Sequence, residues 1–135
     1  MKLTPIVYEE LNSKQKEIYN FQKVAAKLAE YGFNCMKLTD DWQGADFLAY
    51  HKDGDHTLKV QLKSRLTIAR KYANKDLYVA FPVKQQWYLM EHDLLIEEIA
   101  AHTPWLTTQS WLTEGLYSTI KPNQALLDAI KEFML

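Results

Sequence analysis

The sequence predicts an α/β fold, a small mixed sheet flanked by helices, from three observations. One long helical pattern opens the chain, a block of short apolar or alternating runs follows, and helical periodicity returns at the C-terminal end. Composition agrees: 135 residues, 47% hydrophobic and 24% charged, suit one domain spanning 1–135 that buries its own core. With 16 basic residues against 17 acidic ones the net charge is −1, which excludes both a uniformly basic nucleic-acid coat protein and an acidic disordered tail. A single cysteine, Cys35, builds neither a disulfide framework nor a Cys-rich zinc site and reads as a small buried hydrophobe. The first ten residues carry charge and Pro rather than a signal-peptide apolar run, and no stretch approaches the ~20 apolar residues of a membrane span. A soluble cytoplasmic protein is expected.

Asn12 or Ser13 can cap the free amides of a first helix, which runs to about residue 31 before Gly32 stops it. Ile18, Phe21, Ala25 and Leu28 lie three, four and three apart, giving that helix one buried stripe. Residues 33–38 read as a short strand, Thr39, Asp40 and Asp41 as a polar turn, and residues 45–50 as a second strand. Residues 57–63 alternate, with Leu58, Val60 and Leu62 on one side. A basic, helix-compatible link at 64–74 precedes an apolar strand at 77–81, closed by Pro82, and a further strand at 87–90. Helices are expected at 93–101 and 123–134, the last with Leu126, Leu127 and Ile130 inward; the aromatic, Thr-rich segment 103–120 shows no clear period.

Asp53-Gly54 is a strong two-residue hairpin signal, because a type I′ turn needs positive φ at both positions. Such a loop makes opposed residue numbers sum to 107. A four-residue loop keeps that sum, whereas a three- or five-residue loop shifts it by one. Under the even register Leu48 faces Lys59 and Asp46 faces Gln61, with Lys63 two residues further on the same face. A carboxylate, a carboxamide and an amine therefore converge, flanked by residues that suit a central strand, where an unpaired ammonium is expensive. His51 and His56 fall opposite one another at the tip, as a metal site or as ordinary surface histidines.

With Gly44-Ala45-Asp46 at the start of one strand and Val60-Gln61-Leu62-Lys63-Ser64-Arg65 in the next, the sequence resembles the PD-(D/E)XK nuclease superfamily, in a Gln-x-Lys variant. That is the fold of type II restriction enzymes, Holliday-junction resolvases and many small endonucleases. The resemblance covers about residues 12–91 and implies an α-β-β-β-α-β core, with residues 92–135 as a C-terminal helical extension. It implies Mg²⁺ or Mn²⁺ held by Asp46, the Gln61 side-chain oxygen and the Leu62 carbonyl, with Lys63 orienting or deprotonating the attacking water. The reaction implied is phosphodiester hydrolysis, in DNA rather than RNA. The motif's usual acid is Gln61 here, and Ala45 stands where Pro is usual. A first-helix Glu, expected near residues 20–22, has Glu17 as its nearest candidate; Asp40 and Asp41 could add charge or simply cap a turn.

From residue 59 to 75 the chain carries Lys59, Lys63, Arg65, Arg70, Lys71 and Lys75 and no acid, a local +6 suited to phosphates. Residues 91–135 carry a local −5 and are not expected to lie along DNA. Trp87, Tyr88, Trp105, Trp111 and Tyr117 are read as core or as a homodimer interface, with stacking on bases as the alternative. Two rival readings stay open beside the metal-dependent endonuclease: a nucleic-acid-binding module that kept the fold without the chemistry, and a structural or interaction subunit using its C-terminal third.

Overall fold

The computed structural model describes all 135 residues, except the side chains of Asp41 and Trp42. The opening helix, α1 (Ser13–Ala29), begins at Asn12, whose side chain accepts from the Gln15 amide at 2.8 Å while Gln15 returns an acceptor to the Asn12 amide at 2.9 Å. Two otherwise unpaired amides are thereby satisfied. Its buried stripe is Asn20, Val24 and Leu28, rotated from the expected one: Phe21 is half-buried and Ile18 is exposed. The rotation brings in a polar residue, because Tyr8, from a short 3₁₀ turn before the helix, supplies the hydroxyl that the Asn20 amide bonds at 2.9 Å.

Five strands form the central sheet: β1 (Phe33–Trp42), β2 (Ala45–His51), β3 (Thr57–Leu62), β5 (Tyr78–Val83) and β6 (Gln86–Glu91), side by side in that order. Only β3 and β5 run parallel, so the sheet is mixed. Their crossover contains no α-helix. Residues 66–69 instead form β4 (Leu66–Ala69), completely buried, followed by a 3₁₀ turn at Arg70–Tyr72. β4 pairs with β7 (Leu116–Thr119) in a separate two-stranded sheet. α2 (His92–His102) and the short α3 (Gln124–Ala129), capped by Asn123, complete the chain with Leu126 and Ile130 fully buried as expected. Pro82 does not close β5 but lies within it, and this is tolerated because β5 pairs with β3 only as far as Ala80.

The two sheet faces differ. Val24 and Leu28 of α1 pack on Phe47, Ala49, Val60, Ala80 and Trp87. Val79, Phe81 and Met90 on the opposite side pack with Leu66 and Ile68 of β4, Leu95 and Ile99 of α2, and Leu126 and Ile130. Because strand side chains alternate, Asp46 and Gln61, adjacent to Phe47 and Val60, turn away from α1.

The β2–β3 register has the expected sum: Phe47 faces Val60, Leu48 faces Lys59, Ala49 faces Leu58 and Tyr50 faces Thr57. The loop is not type I′. Gly54 alone has positive φ (79°), Asp53 does not, and the four residues 52–55 make the turn. Two-residue turns of I′ character occur elsewhere, at Gln43-Gly44 (φ 55° and 86°) between β1 and β2 and at Lys84-Gln85 (φ 49° and 71°) between β5 and β6. The expected polar turn at 39–41 is therefore strand, and β1 reverses only after Trp42.

Candidate metal-binding and nuclease-like site

The site begins with a bulge. On β1 four residues, 38–41, intervene between the pairs Lys37 with Phe47 and Trp42 with Ala45, whereas on β2 only Asp46 does. The ladder is interrupted here, as at a β-bulge. The turn that starts β2 requires Gly44: its φ is 86°, and a Cβ there would lie 2.8 Å from Leu77 Cδ1 and 3.2 Å from the Tyr72 ring. Glycine takes this backbone without strain, and any side chain there would displace the Leu77 side chain and crowd the Tyr72 ring.

The regular β2–β3 pairing ends at Phe47 and Val60, and the next contact is made by a side chain: the Leu62 amide donates to Asp46 Oδ2 at 2.8 Å. Leu62 is meanwhile paired with Ala80 of β5, and the Lys63 amide donates to the Ala80 carbonyl at 2.9 Å. The carboxylate of Asp46 is therefore fixed against the backbone between Gln61 and Lys63. Gln61 is 7% exposed, and its Oε1 has no hydrogen-bond partner among the described residues. A buried carbonyl oxygen without a donor costs about 1–3 kcal/mol, so it stays only where something else makes use of it. A carboxylate and a carboxamide oxygen on adjoining strands are the donor types that a hard divalent cation takes. The residues present fit Mg²⁺ or Mn²⁺, with Asp46, Gln61 and the Leu62 carbonyl as the groups that would hold it.

Lys63 lies with its ammonium 5.5 Å from the centre of the Tyr72 ring, and Lys71 with its own 5.1 Å from the same ring. Tyr72 in turn meets His92 edge-on, centroids 5.7 Å apart. His92, at the start of α2, is 2% exposed; its Nε2 accepts from the Ala69 amide at 3.1 Å, and its Nδ1 has no hydrogen-bond partner among the described residues, with the Asp93 carboxylate 4.0 Å away. Burial pushes its pKa below the ordinary imidazole value; the Asp93 carboxylate opposes that shift in part, and the Lys63 charge adds a smaller push downward. Tyr72 and His92 were not legible as site residues, since each reads as an ordinary core aromatic.

A groove of about 600 Å³ opens beside this cluster, lined by Gly44, Tyr72, Lys71 and Lys75 among others. The six cations of residues 59–75 do not form one patch. Lys71 and Lys75 reach this groove, while the Lys59 ammonium is tied to the Lys75 carbonyl at 3.1 Å. Arg70 is turned the other way, its guanidinium 5.1 Å from the Trp111 ring centre and bonded to the Trp111 carbonyl. Arg65 instead lines a second cleft, of about 530 Å³, with Lys23, Lys27, Lys84 and Tyr19. This other basic cluster escaped the sequence reading because its members come from α1, the β5–β6 turn and the residues after β3.

Glu17 lies with Lys37, at 2.7 Å, on the α1 side of the sheet. The Lys37 hydrogen bond, reinforced by the charges of Lys37 and Lys14, holds its carboxyl below its usual range. It is not brought to Asp46. Asp40 is exposed, and the Asp41 side chain falls outside the described residues. Cys35 is half-buried, and burial pushes its thiol up to about 11. Trp105 stacks on Tyr117 with centroids 4.7 Å apart and is itself buried.

Sheet order and flanking helices define a mixed α/β core. Among solved structures, the chain is similar to the bacterial homing endonuclease I-Ssp6803I, with a TM-score of 0.53 and 16% identity over 84% of this chain and 78% of that one. It shares that fold. The Holliday junction resolvase Hjc of Archaeoglobus fulgidus matches with a TM-score of 0.44 and 15% identity over 57% of this chain and 76% of that one. No family model matches the sequence, and no curated protein matches it. No helix is long and apolar enough to cross a membrane among the described residues.

Proposed function

We propose that this chain is a metal-dependent nuclease hydrolysing phosphodiester bonds in DNA. The observation that carries the reading is the fixed Asp46 carboxylate beside a buried Gln61 oxygen that has no donor among the described residues, two residues from Lys63. The fold shared with a homing endonuclease supports it. Asp46, the Gln61 side-chain oxygen and the Leu62 carbonyl hold Mg²⁺ or Mn²⁺, which supplies Lewis-acid polarisation of a phosphate oxygen and a more acidic water. Lys63, steadied over Tyr72, orients the attacking water and balances the negative charge that develops on the phosphorus oxygens. Lys71 and Lys75 in the groove, with Lys59 behind them and Arg65 at the second cleft, contact the DNA backbone. Arg70 serves the Trp111 contact, and Glu17 the Lys37 ion pair.

Gln61 in place of an acid favours one second reading, a DNA-binding module without chemistry, and the same assay separates the two. Cleavage of plasmid and branched DNA with Mg²⁺ or Mn²⁺ is expected for the wild type and should fall about a thousandfold or more in Asp46→Ala and Lys63→Ala. Binding without cleavage in the wild type would establish the module. Neither binding nor cleavage would refute both. A homodimer is part of the proposal through the exposed Leu112, Leu116 and Ile120 rather than the buried tryptophan of that region; sedimentation of the wild type against Leu112→Glu reads it directly.

A further inference from the structure

We propose that His51, Asp53 and His56, at the tip of the β2–β3 hairpin, form a binding site for a borderline divalent cation, Zn²⁺ or a neighbouring late transition metal. This site is separate from the Asp46 corner and does not rest on the nuclease reading.

The turn assembles the three donors. His51 and His56 bracket the loop, the His51 amide donating to the His56 carbonyl at 2.8 Å. Asp53 folds back over the turn, its Oδ1 accepting from the Asp55 amide at 2.8 Å and the His56 amide at 3.3 Å. Those bonds aim Oδ2 between the imidazoles, 3.0 Å from His51 Nδ1 and 2.7 Å from His56 Nδ1. All three donor atoms lie within 4.8 Å of one another.

His51 makes the arrangement more than a surface cluster. Its Nδ1 faces both the Asp53 amide, at 3.1 Å, and the Asp53 carboxylate oxygen, at 3.0 Å, so nitrogen and oxygen converge on one point where a proton or a metal ion can be shared. The ring is also held in place, edge-on to Phe33 with centroids 4.9 Å apart, and its side chain is only 23% exposed. One ligand is thus fixed before any ion arrives. His56, 68% exposed, can adjust and leaves the far side open to water or a fourth ligand.

Donor type selects the ion. Two imidazole nitrogens and one carboxylate oxygen suit Zn²⁺, Co²⁺, Ni²⁺ or Cu²⁺ and discriminate against Mg²⁺, which prefers oxygen. Donors around tetrahedral Zn²⁺ stand roughly 3.3 Å apart. The two contacts at Oδ2, 3.0 and 2.7 Å, need open by about 0.3 and 0.6 Å, and the donor atoms already lie within 4.8 Å of one another.

Chelator-stripped full-length protein should be titrated with ZnCl₂ at pH 7.5 in millimolar Mg²⁺, by calorimetry and by thermal melting. One equivalent is expected to bind with micromolar affinity and raise the melting temperature. His56→Ala and Asp53→Asn should each weaken binding by about tenfold or more, while Asp46→Asn leaves it unchanged. No binding at 100 µM Zn²⁺, roughly a hundred times a micromolar Kd, would overturn the proposal. So would binding that survives both tip substitutions, or binding lost in Asp46→Asn instead.

Discussion

The two ends of the β2–β3 hairpin carry similar numbers of polar groups and treat them in opposite ways. At the root Gln61 is buried, with an oxygen that no described residue satisfies, beside a carboxylate fixed by a backbone amide. At the tip the groups are more exposed and bond one another: Asp53 takes amides from Asp55 and His56 and meets both imidazoles. Burial makes polarity at the root expensive, so its retention points to use; solvent makes polarity at the tip cheap, so there only the geometry of the donors is informative. The two proposed sites follow the same split, oxygen donors alone at the root and imidazole nitrogens with one carboxylate at the tip.

Gly44→Ala should break the root most severely short of removing Asp46. The positive φ and the contacts with Leu77 and Tyr72 should together cost about 2–3 kcal/mol, read by chemical denaturation, with the tip's zinc affinity retained. An alanine variant as stable as wild type would mean the turn is not needed in this form.

Gln61→Met sharpens the contrast. Removing an unsatisfied buried oxygen should leave stability unchanged or raise it by about 1 kcal/mol while abolishing metal-dependent cleavage. A loss of stability of several kcal/mol would show that the oxygen is satisfied within the fold.

His92 gives the root a pH dependence. Its folded pKa lies below the ordinary 6.5, mainly through burial, so the unfolded chain binds the proton more readily. Its contribution to stability is therefore fully present above pH 6.5 and is lost as pH falls below that value towards the folded pKa. Denaturation midpoints measured from pH 7.5 to 5 should decline, and the His92→Gln variant should flatten that decline.

The smallest expected effect is a control away from both ends. Gln85 holds φ 71° in the β5–β6 turn, and Gln85→Gly should stabilise by about 0.5–1 kcal/mol without touching either site.

The root was legible in the sequence because its register follows from parity alone: alternation at Leu58, Val60 and Leu62, with an even loop, places Asp46 beside the Gln61–Lys63 segment whichever even loop forms. The turn type was not, because Asp53 folds its side chain over the loop instead of adopting positive φ. β4 was hidden for a different reason. Leu66-Thr67-Ile68-Ala69 sits between Arg65 and Arg70 and resembles a basic link, and its partner β7 is remote in sequence, pairing Leu66 with Thr119. No local pattern reports such a pairing. Likewise the helix stripe rotates to include Asn20 because a tyrosine hydroxyl outside the helix satisfies it.

The account's central claim is that the root of the hairpin holds a hard cation through Asp46 and Gln61. Substoichiometric Mn²⁺ added to ¹⁵N-labelled protein tests it most directly, through paramagnetic broadening. The amide of Leu62 and the side-chain amide of Gln61 should broaden first in the wild type and stay sharp in Asp46→Ala, with Asp55 and His56 at the tip little affected in both. Broadening centred on the tip, or undiminished at Leu62 in Asp46→Ala, would contradict it.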